Sequence, residues 1–248
     1  MDSPELVRET IDDLEERPTQ PYATALYYAV LCGFSGLANY LIITHAENVN
    51  AECGRCGTPL HAALYKGHLD AASVLLAHGV DVNTTDMCDR TPLCSAYDDG
   101  HLNVMRFLLE HGVDVDMYYD ELGLLSHDAS WCGRTDVLRL LLHHNANVNA
   151  RNDENETPLH HATRAGQAGV AQLLLEHGAL VDAQGESHMT PLYRASLDGD
   201  LEVVRVLLGH GADVHIRAGN DWTPFQVATA EGNVEIAQLL LDNGAEKV

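Results

Sequence analysis

Basic residues are scarce in this sequence. Its 248 residues include only 14 Lys and Arg against 37 Asp and Glu, and the formal net charge is −23 at pH 7. Negative charge of this size repels the phosphates of nucleic acids and the headgroups of anionic lipids. The composition therefore argues against nucleic-acid and membrane partners. It favours a protein partner, which we expect to be neutral or basic.

Long apolar runs and targeting signals are lacking too. No run approaches the roughly 18–20 apolar residues that a membrane-spanning helix requires. The N-terminal segment MDSPELVRETIDDLEER is acidic, whereas secretory and transit peptides carry basic residues. Six cysteines are scattered along the chain without a secretory signal, which favours reduced thiols over a disulfide framework. We expect an intracellular, cytoplasmic protein.

Phosphate-binding loops are missing as well, because neither G-x-G-x-x-G nor G-x-x-x-x-G-K-S/T occurs. Histidine, by contrast, is plentiful, with fifteen residues that include the adjacent pair His160-His161. Cys53 and Cys56 in CGRC have the spacing of zinc ligands, but no second Cys or His pair follows at the distance typical of a zinc finger. One hypothesis is therefore a metal-dependent or acid–base enzyme that uses either of these pairs.

The sequence does contain a repeat with a period of 33 residues. Segments such as GTPLHAALYKGHLDAASVLLAHGVDVN and ETPLHHATRAGQAGVAQLLLEHGALVD are variants of one template. Five copies begin at Thr58, Thr91, Thr157, Thr190 and Thr223, and two looser copies fill the remaining positions. After residues 1–18, the period divides residues 19–248 into seven repeats, at about 19–52, 53–85, 86–118, 119–151, 152–184, 185–217 and 218–248.

Each repeat predicts two short helices. Threonine is a favoured helix N-cap, and the proline after it suits the first helical position because its missing N–H costs nothing there. Glycine, which tolerates the left-handed conformation, follows most of the predicted helices. In the fourth repeat Asn145 takes the place of the second glycine, and asparagine also tolerates that conformation. His160 falls in the same position as His61 and His127, which favours a structural role for this histidine.

The Thr-Pro-Leu-His-x-Ala core, the two glycines and the Leu-Leu pair resemble the ankyrin repeat over almost the whole chain. This resemblance implies an all-α solenoid of about seven helix-turn-helix repeats with short hairpin loops. It implies a protein–protein interaction scaffold that has no catalytic residues, no metal and no cofactor. The family's histidine in the Thr-Pro-Leu-His position is implied to be a scaffold residue that hydrogen-bonds near the threonine turn.

The resemblance also implies which residues bind the partner, because the family uses hairpin tips and the late positions of each first helix. The positions matched in this way form an acidic surface with aromatic residues toward its centre, as protein-binding surfaces often have. They are Tyr65, Lys66, Asp98, Asp99, Tyr118, Asp120, Glu121, Trp131, Arg151, Asp153, Glu154, Arg164, Leu197 and Asp198. The alternative is that the acidic residues only keep a structural spacer soluble.

The fourth repeat departs most from the template. Leu124-Leu125-Ser126 replaces Thr-Pro-Leu, so we expect a helix that begins late, with Ser126 as its N-cap. The leucines before it would then lie in a loop beside Trp131. Two interpretations remain open, a hot spot for the partner in the middle of the array and simple decay of one repeat.

The N-terminal end has features of its own. Residues Ser3–Arg17 predict an acidic capping helix with an apolar stripe, which we expect to cover the open end of the first repeat. The first repeat, PYATALYYAVLCGFSGLANYLI, is similar to the ankyrin arrays that follow NACHT-type nucleotide-binding domains in fungal signal-transduction NTPases. That resemblance implies the ligand-sensing segment of a larger signalling receptor.

Overall fold

A computed structural model describes residues 23–51, 57–86, 90–116, 118–120 and 123–246, with the backbone alone for residues 118–120. The predicted helix Ser3–Arg17 therefore lies outside the described residues, as do Cys53, Cys56 and Glu121. Contacts between residues divide the chain into two compact bodies, Met1–Val113 and Asp114–Val248. We call them the N-terminal and the C-terminal body.

Both bodies are built from pairs of short antiparallel helices. The described part of the N-terminal body contains α1 (Ala25–Leu31), α2 (Ser35–His45), α3 (Pro59–Tyr65), α4 (Leu69–Ala77), α5 (Pro92–Asp98) and α6 (Leu102–Glu110). The C-terminal body contains α7 (Leu125–Trp131), α8 (Thr135–His143), α9 (Pro158–Arg164), α10 (Ala168–Glu176), α11 (Pro191–Asp198), α12 (Leu201–Gly209), α13 (Pro224–Ala230) and α14 (Val234–Asp242). Strands β1 (Tyr118–Asp120) and β2 (Gly123–Leu124) form a small antiparallel hairpin just before α7. The prediction of an all-α fold is confirmed.

The ends of the helices follow the repeat template. The hydroxyl oxygen of Thr190 accepts a hydrogen bond of 3.2 Å from the backbone N–H of Tyr193, and Thr223 accepts one of 3.3 Å from Gln226. These bonds satisfy a backbone N–H that has no partner inside the helix. At the other end, Asn145 has a φ of 65° in the position where most repeats have glycine. Both predictions about helix ends are confirmed.

The first helix of the fourth repeat begins earlier than the sequence predicted. Helix α7 begins at Leu125, with Leu124 as its N-cap, so the prediction that Ser126 caps a late helix is wrong. The backbone N–H of Leu124 donates to Nδ1 of His127 at 3.2 Å, so this ring satisfies the N–H of the cap residue itself. Leu125 is buried in the position that proline occupies elsewhere, and its burial holds the helix start in place.

The core of the C-terminal body lies between the first and second helices of successive repeats. Leu159 from α9, Leu174 from α10 and Leu192 from α11 have no exposed surface and belong to one continuous apolar cluster. Burying a leucine side chain stabilises a fold by about 1.5–3 kcal/mol. Each repeat shares this core with its neighbours, so no helix pair is stable without them.

Polar side chains also connect one repeat to the next at a regular spacing. The carboxylate of Asp116 accepts a hydrogen bond of 3.1 Å from the backbone N–H of Asn147. The carboxylate of Asp182 likewise accepts one of 3.0 Å from the N–H of Asp213. In both pairs the partners are 31 residues apart, so each bond crosses one repeat boundary.

Candidate protein-binding face

The first helices of the C-terminal body lie side by side, and their C-terminal ends carry four of the predicted binding residues. We call this surface the helix-end face and define it by Trp131 of α7, Arg164 of α9, and Leu197 and Asp198 of α11. Trp131 keeps 37% of its surface exposed although it is a large apolar residue. Arg164 and Asp198 are exposed and Leu197 is half-buried. The helix-turn-helix period thus brings these four residues to one side of neighbouring helices.

The centre of this face is a stack of an arginine on a tryptophan. The guanidinium carbon of Arg164 lies 6.0 Å from the centroid of the Trp131 ring. Arg164 Nη1 also lies 3.8 Å from Oε2 of Glu156, in the loop that precedes α9. A guanidinium at this distance is attracted by the face of the ring as well as by the carboxylate. Trp131, Arg164 and Glu156 therefore form one interacting group.

Glu156 is a buried carboxylate, with only 9% of the residue exposed. Burial raises the pKa of its carboxyl group, an effect that the guanidinium of Arg164 opposes. The backbone carbonyl of Glu156 accepts a hydrogen bond of 3.1 Å from Nε2 of His127. This bond ties the loop before α9, and with it Glu156, to the preceding repeat.

Further acidic groups surround Glu156. Carboxylate oxygens of Glu154, Glu156 and Glu186 lie within 4.8 Å of one another. On the next helix, Asp198 Oδ2 pairs with Nε of Arg194 at 2.8 Å. Glu156 therefore has two further carboxylates close to it in addition to the guanidinium of Arg164.

Four of the other predicted binding residues belong to the N-terminal body and have contacts of their own there. In the N-terminal body, Lys66 Nζ lies 5.3 Å from the ring centroid of its neighbour Tyr65. Asp98 in that body pairs with Arg90 at 3.2 Å, and Asp99 is exposed.

Two of the predicted hairpin residues of the C-terminal body lie close to Glu154. Arg151 donates to the backbone oxygen of Gln184 at 2.9 Å, which indicates a structural role for its guanidinium. Asp153 is exposed, as is Glu154. The side chains of Tyr118 and Asp120 are outside the described part, so their places in the predicted surface stay predictions.

The histidines of the Thr-Pro-Leu-His position belong to the scaffold. The backbone N–H of Thr157 donates to Nδ1 of His160 at 3.1 Å, and Nε2 of His160 lies 3.3 Å from the backbone oxygen of Met189 in the next repeat. His127 makes the equivalent pair of bonds, to Leu124 and to Glu156. Burial lowers the pKa of His160 to about 4. The prediction that this histidine hydrogen-bonds near the threonine turn is confirmed.

Its neighbour His161 is also buried, but it has a different environment. Its ring centroid lies 5.1 Å from that of His127 and 6.2 Å from that of Trp131, in edge-to-face contacts. Burial, together with the neighbouring histidines and Arg164, lowers the pKa of His161 to about 3. This neutral imidazole packs against the ring of Trp131. Because its pKa is so low, it is poorly suited to exchange protons near neutral pH.

Sequence reasoning missed Glu156 and the exposed Trp222. Trp222 keeps 43% of its surface exposed. Both residues directly precede the threonine of their repeat, a position that also holds Arg90 and Met189 in other repeats. The residue at this position varies between otherwise similar repeats, and that variation is the signal in the sequence that could have singled out Glu156 and Trp222.

Comparison with known families identifies the fold. Residues 2–86, 26–118, 84–152, 126–218 and 186–248 match the family described as ankyrin repeats (3 copies). The chain therefore belongs to the ankyrin-repeat family, whose members are generally protein–protein interaction modules. A search of curated proteins found no match.

Solved structures of ankyrin-repeat domains are similar to this chain. The human ASB11 ankyrin repeat domain is 28% identical, with a TM-score of 0.65, and the match covers 91% of this chain and 100% of that domain. The ankyrin repeat domain of Bcl-3, described as a unique member of the IkappaB protein family, is also 28% identical, with a TM-score of 0.76 and coverage of 87% and 98%. Within the described residues, no helix is long and apolar enough to span a bilayer.

Proposed function

We propose that this chain is a non-enzymatic scaffold that binds a neutral or basic protein through an acidic, aromatic-centred groove in which the helix-end face lies. The observation that carries the proposal is the exposed Trp131 ring, which contacts His161 and Arg164, while Arg164 in turn lies against the carboxylate of Glu156 and its acidic neighbours. Exposed aromatic residues on a rigid support are the usual anchors of protein interfaces, and charged residues form their rim.

The charge of the whole chain supports a basic or neutral partner. With a net charge of −23, the chain attracts a cationic protein over long distances and slows the approach of an anionic one. The described pairs of Arg164 with Glu156 and of Arg194 with Asp198 neutralise two of the few cations on this side of the molecule.

The cellular role that fits this surface is the ligand-sensing segment of a larger, cytoplasmic signalling receptor. Support comes from the similarity of the first repeat to the arrays that follow NACHT-type domains in fungal signal-transduction NTPases. In such an arrangement, engagement of the array by a partner would control a switch in another part of the receptor.

The test is capture of partners from a cytosolic extract by the wild type and by a Trp131→Ala variant, followed by affinity measurements with the captured protein. A Trp222→Ala variant is the matched control, because it removes a similarly exposed tryptophan from the loop that precedes α13. We expect Trp131→Ala to weaken binding by at least about tenfold, as removal of a central aromatic anchor does. Trp222→Ala should bind like the wild type.

Circular dichroism of both variants confirms that they are folded. If a folded Trp131→Ala variant captures the same partner with unchanged affinity, the helix-end face is not the binding surface. Loss of binding only in Trp222→Ala would move the interface to the loop that precedes α13.

A further inference from the structure

Arg164 occupies a position that suits a cation from another molecule. Its guanidinium lies between the face of an exposed tryptophan and the carboxylate of Glu156. A flat ring together with a carboxylate is a chemically suitable receptor for an arginine, whose planar cation stacks on aromatic faces and bonds to carboxylates. In the free chain, one of its own arginines fills this position.

The fit of Arg164 is loose. Its Nη1 is 3.8 Å from Glu156 Oε2, whereas a charged N–H···O hydrogen bond measures about 2.7–2.9 Å. His161 Nε2 is 3.6 Å from the same oxygen and, with its lowered pKa, carries no charge near neutral pH. Among the described residues, Oε2 of Glu156 has no hydrogen-bond partner although it is buried.

A buried carboxylate oxygen without a hydrogen bond is unfavourable, so this group has more to gain from a closer cation than Arg164 supplies. The nearby carboxylates of Glu154 and Glu186 strengthen the attraction, since their oxygens lie within 4.8 Å of a Glu156 oxygen. Side chains of both Trp131 and Arg164 remain more than a third exposed. A cation that arrives from solution therefore has access to the Trp131 ring, and it reaches the buried oxygen of Glu156 when Arg164 moves aside.

We infer that Trp131 and Glu156 form a recognition site for an arginine side chain of a basic partner, and that Arg164 occupies this site until the partner displaces it. This inference rests on the proposed function. It adds that the chemical group recognised on the partner is an arginine side chain. Arg164 acts as an internal competitor, present at the high effective concentration of a tethered group. The apparent affinity for a partner equals the intrinsic affinity multiplied by the fraction of molecules in which the site is open.

Removal of the internal competitor should therefore strengthen binding of an arginine peptide. The probe is a fluorescein-labelled peptide of three Gly-Ser-Arg units, with binding followed by fluorescence anisotropy at physiological salt. We expect Arg164→Ala to bind the peptide about five- to tenfold more tightly than the wild type. Trp131→Ala and Glu156→Gln should each weaken binding, and Trp131→Ala should also abolish the gain in an Arg164→Ala background.

Two controls separate a specific site from general attraction between opposite charges. Arg205→Ala removes the same charge from an exposed arginine that also pairs with a carboxylate, Glu202, at 3.7 Å. It should change the affinity less than twofold. A peptide in which citrulline replaces arginine keeps the shape but lacks the charge, and it should show no gain with Arg164→Ala.

The inference is overturned if Arg164→Ala binds the arginine peptide no more tightly than Arg205→Ala, or more weakly than the wild type. The second result would mean that Arg164 itself contacts the ligand. Failure of the peptide to bind any variant overturns it as well. The proposed function is decided separately, since capture of a partner that depends on Trp131 supports it in each of these cases.

Discussion

His160 and His161 are adjacent histidines with different structural roles. His160 bonds the turn of its own repeat and Met189 of the next repeat. His161 packs its ring against His127 and Trp131. Both are buried and uncharged near neutral pH, and for both burial is the largest cause of the lowered pKa. Their common consequence is a fold whose stability depends on pH.

Acid should destabilise the protein over a defined interval. An unfolded chain protonates each histidine near pH 6.5, whereas His160 and His161 have pKa values of about 4 and about 3 in the folded chain. Between these limits the unfolded state binds more protons, so the free energy of unfolding falls as the pH falls. For His161 the loss between pH 7 and pH 5 is about 2 kcal/mol. The raised pKa of Glu156 has the opposite effect. At pH values around and above the usual pKa of a glutamate, the folded chain binds more protons at this group than the unfolded chain does, so acid stabilises the fold there.

Urea unfolding at several pH values checks this prediction. A His161→Gln variant should lose about 2 kcal/mol less between pH 7 and pH 5 than the wild type. His143→Gln is the control, because it removes an exposed histidine from the end of α8. An equal slope for wild type and His161→Gln would show that the buried imidazole does not account for the acid sensitivity.

The short helices depend on how they end. Helices of seven to nine residues, such as α9 and α10, are too short to form alone in water. A cap from Thr157 and His160 at the start of α9, and the left-handed Gly166 and Gly178 after the ends of α9 and α10, offset part of this cost. Glycine substitutions should therefore have opposite effects inside a helix and after it.

Gly169 and Gly178 provide a matched pair within one repeat. Gly169 lies inside α10, whereas Gly178 follows that helix with a φ of +89°, and an added Cβ would meet no atom within 4 Å at either position. Gly169→Ala should stabilise the protein by about 0.5–1 kcal/mol because alanine favours the helix. Gly178→Ala should destabilise it by about 1–2 kcal/mol because the left-handed conformation strains a residue with a Cβ.

Urea unfolding of the two variants beside the wild type measures both changes. Since neither substitution meets a steric obstacle, the difference between them reports on backbone conformation alone. Shifts of the same sign would contradict the assignment of Gly178 as a left-handed helix stop.

At the scale of elements, the sequence predicted those helix ends that depend on local residue patterns. Threonine caps, glycine stops and Asn145 all follow from residue type and spacing. The start of α7 was not predicted correctly, because His127 provides the cap there and the buried Leu125 replaces proline at the first helical position. Trp131 and Arg164 were predicted as separate binding residues, but their stack on Glu156 was not. That contact joins residues from two repeats, and periodicity does not give distances between side chains.

At the scale of the whole molecule, negative charge dominates. The 37 acidic residues repel one another in any compact state, and the 14 basic residues offset only part of that repulsion. Raising NaCl from about 20 to about 300 mM shortens the Debye length to less than 10 Å, so we expect the free energy of unfolding to rise. The described surface pairs of Arg205 and Arg217 weaken in salt, but exposed pairs contribute less than about 1 kcal/mol each.

Thermal unfolding in chlorides of sodium, potassium and tetramethylammonium measures this effect. Equal stabilisation by all three salts at equal ionic strength indicates screening, which does not depend on the identity of the cation. A lower midpoint at high salt would mean that attractive pairs outweigh repulsion in the folded chain.

The bonds from Asp116 to Asn147 and from Asp182 to Asp213 have a consequence for how such a gene changes over time. Each joins a side chain of one repeat to the backbone of the next across the same number of residues. A duplication or deletion of one period by unequal recombination therefore creates a boundary whose two sides already fit. The length of the array can therefore change by a whole repeat in a single genetic event, with bonds of this kind kept at the new boundary.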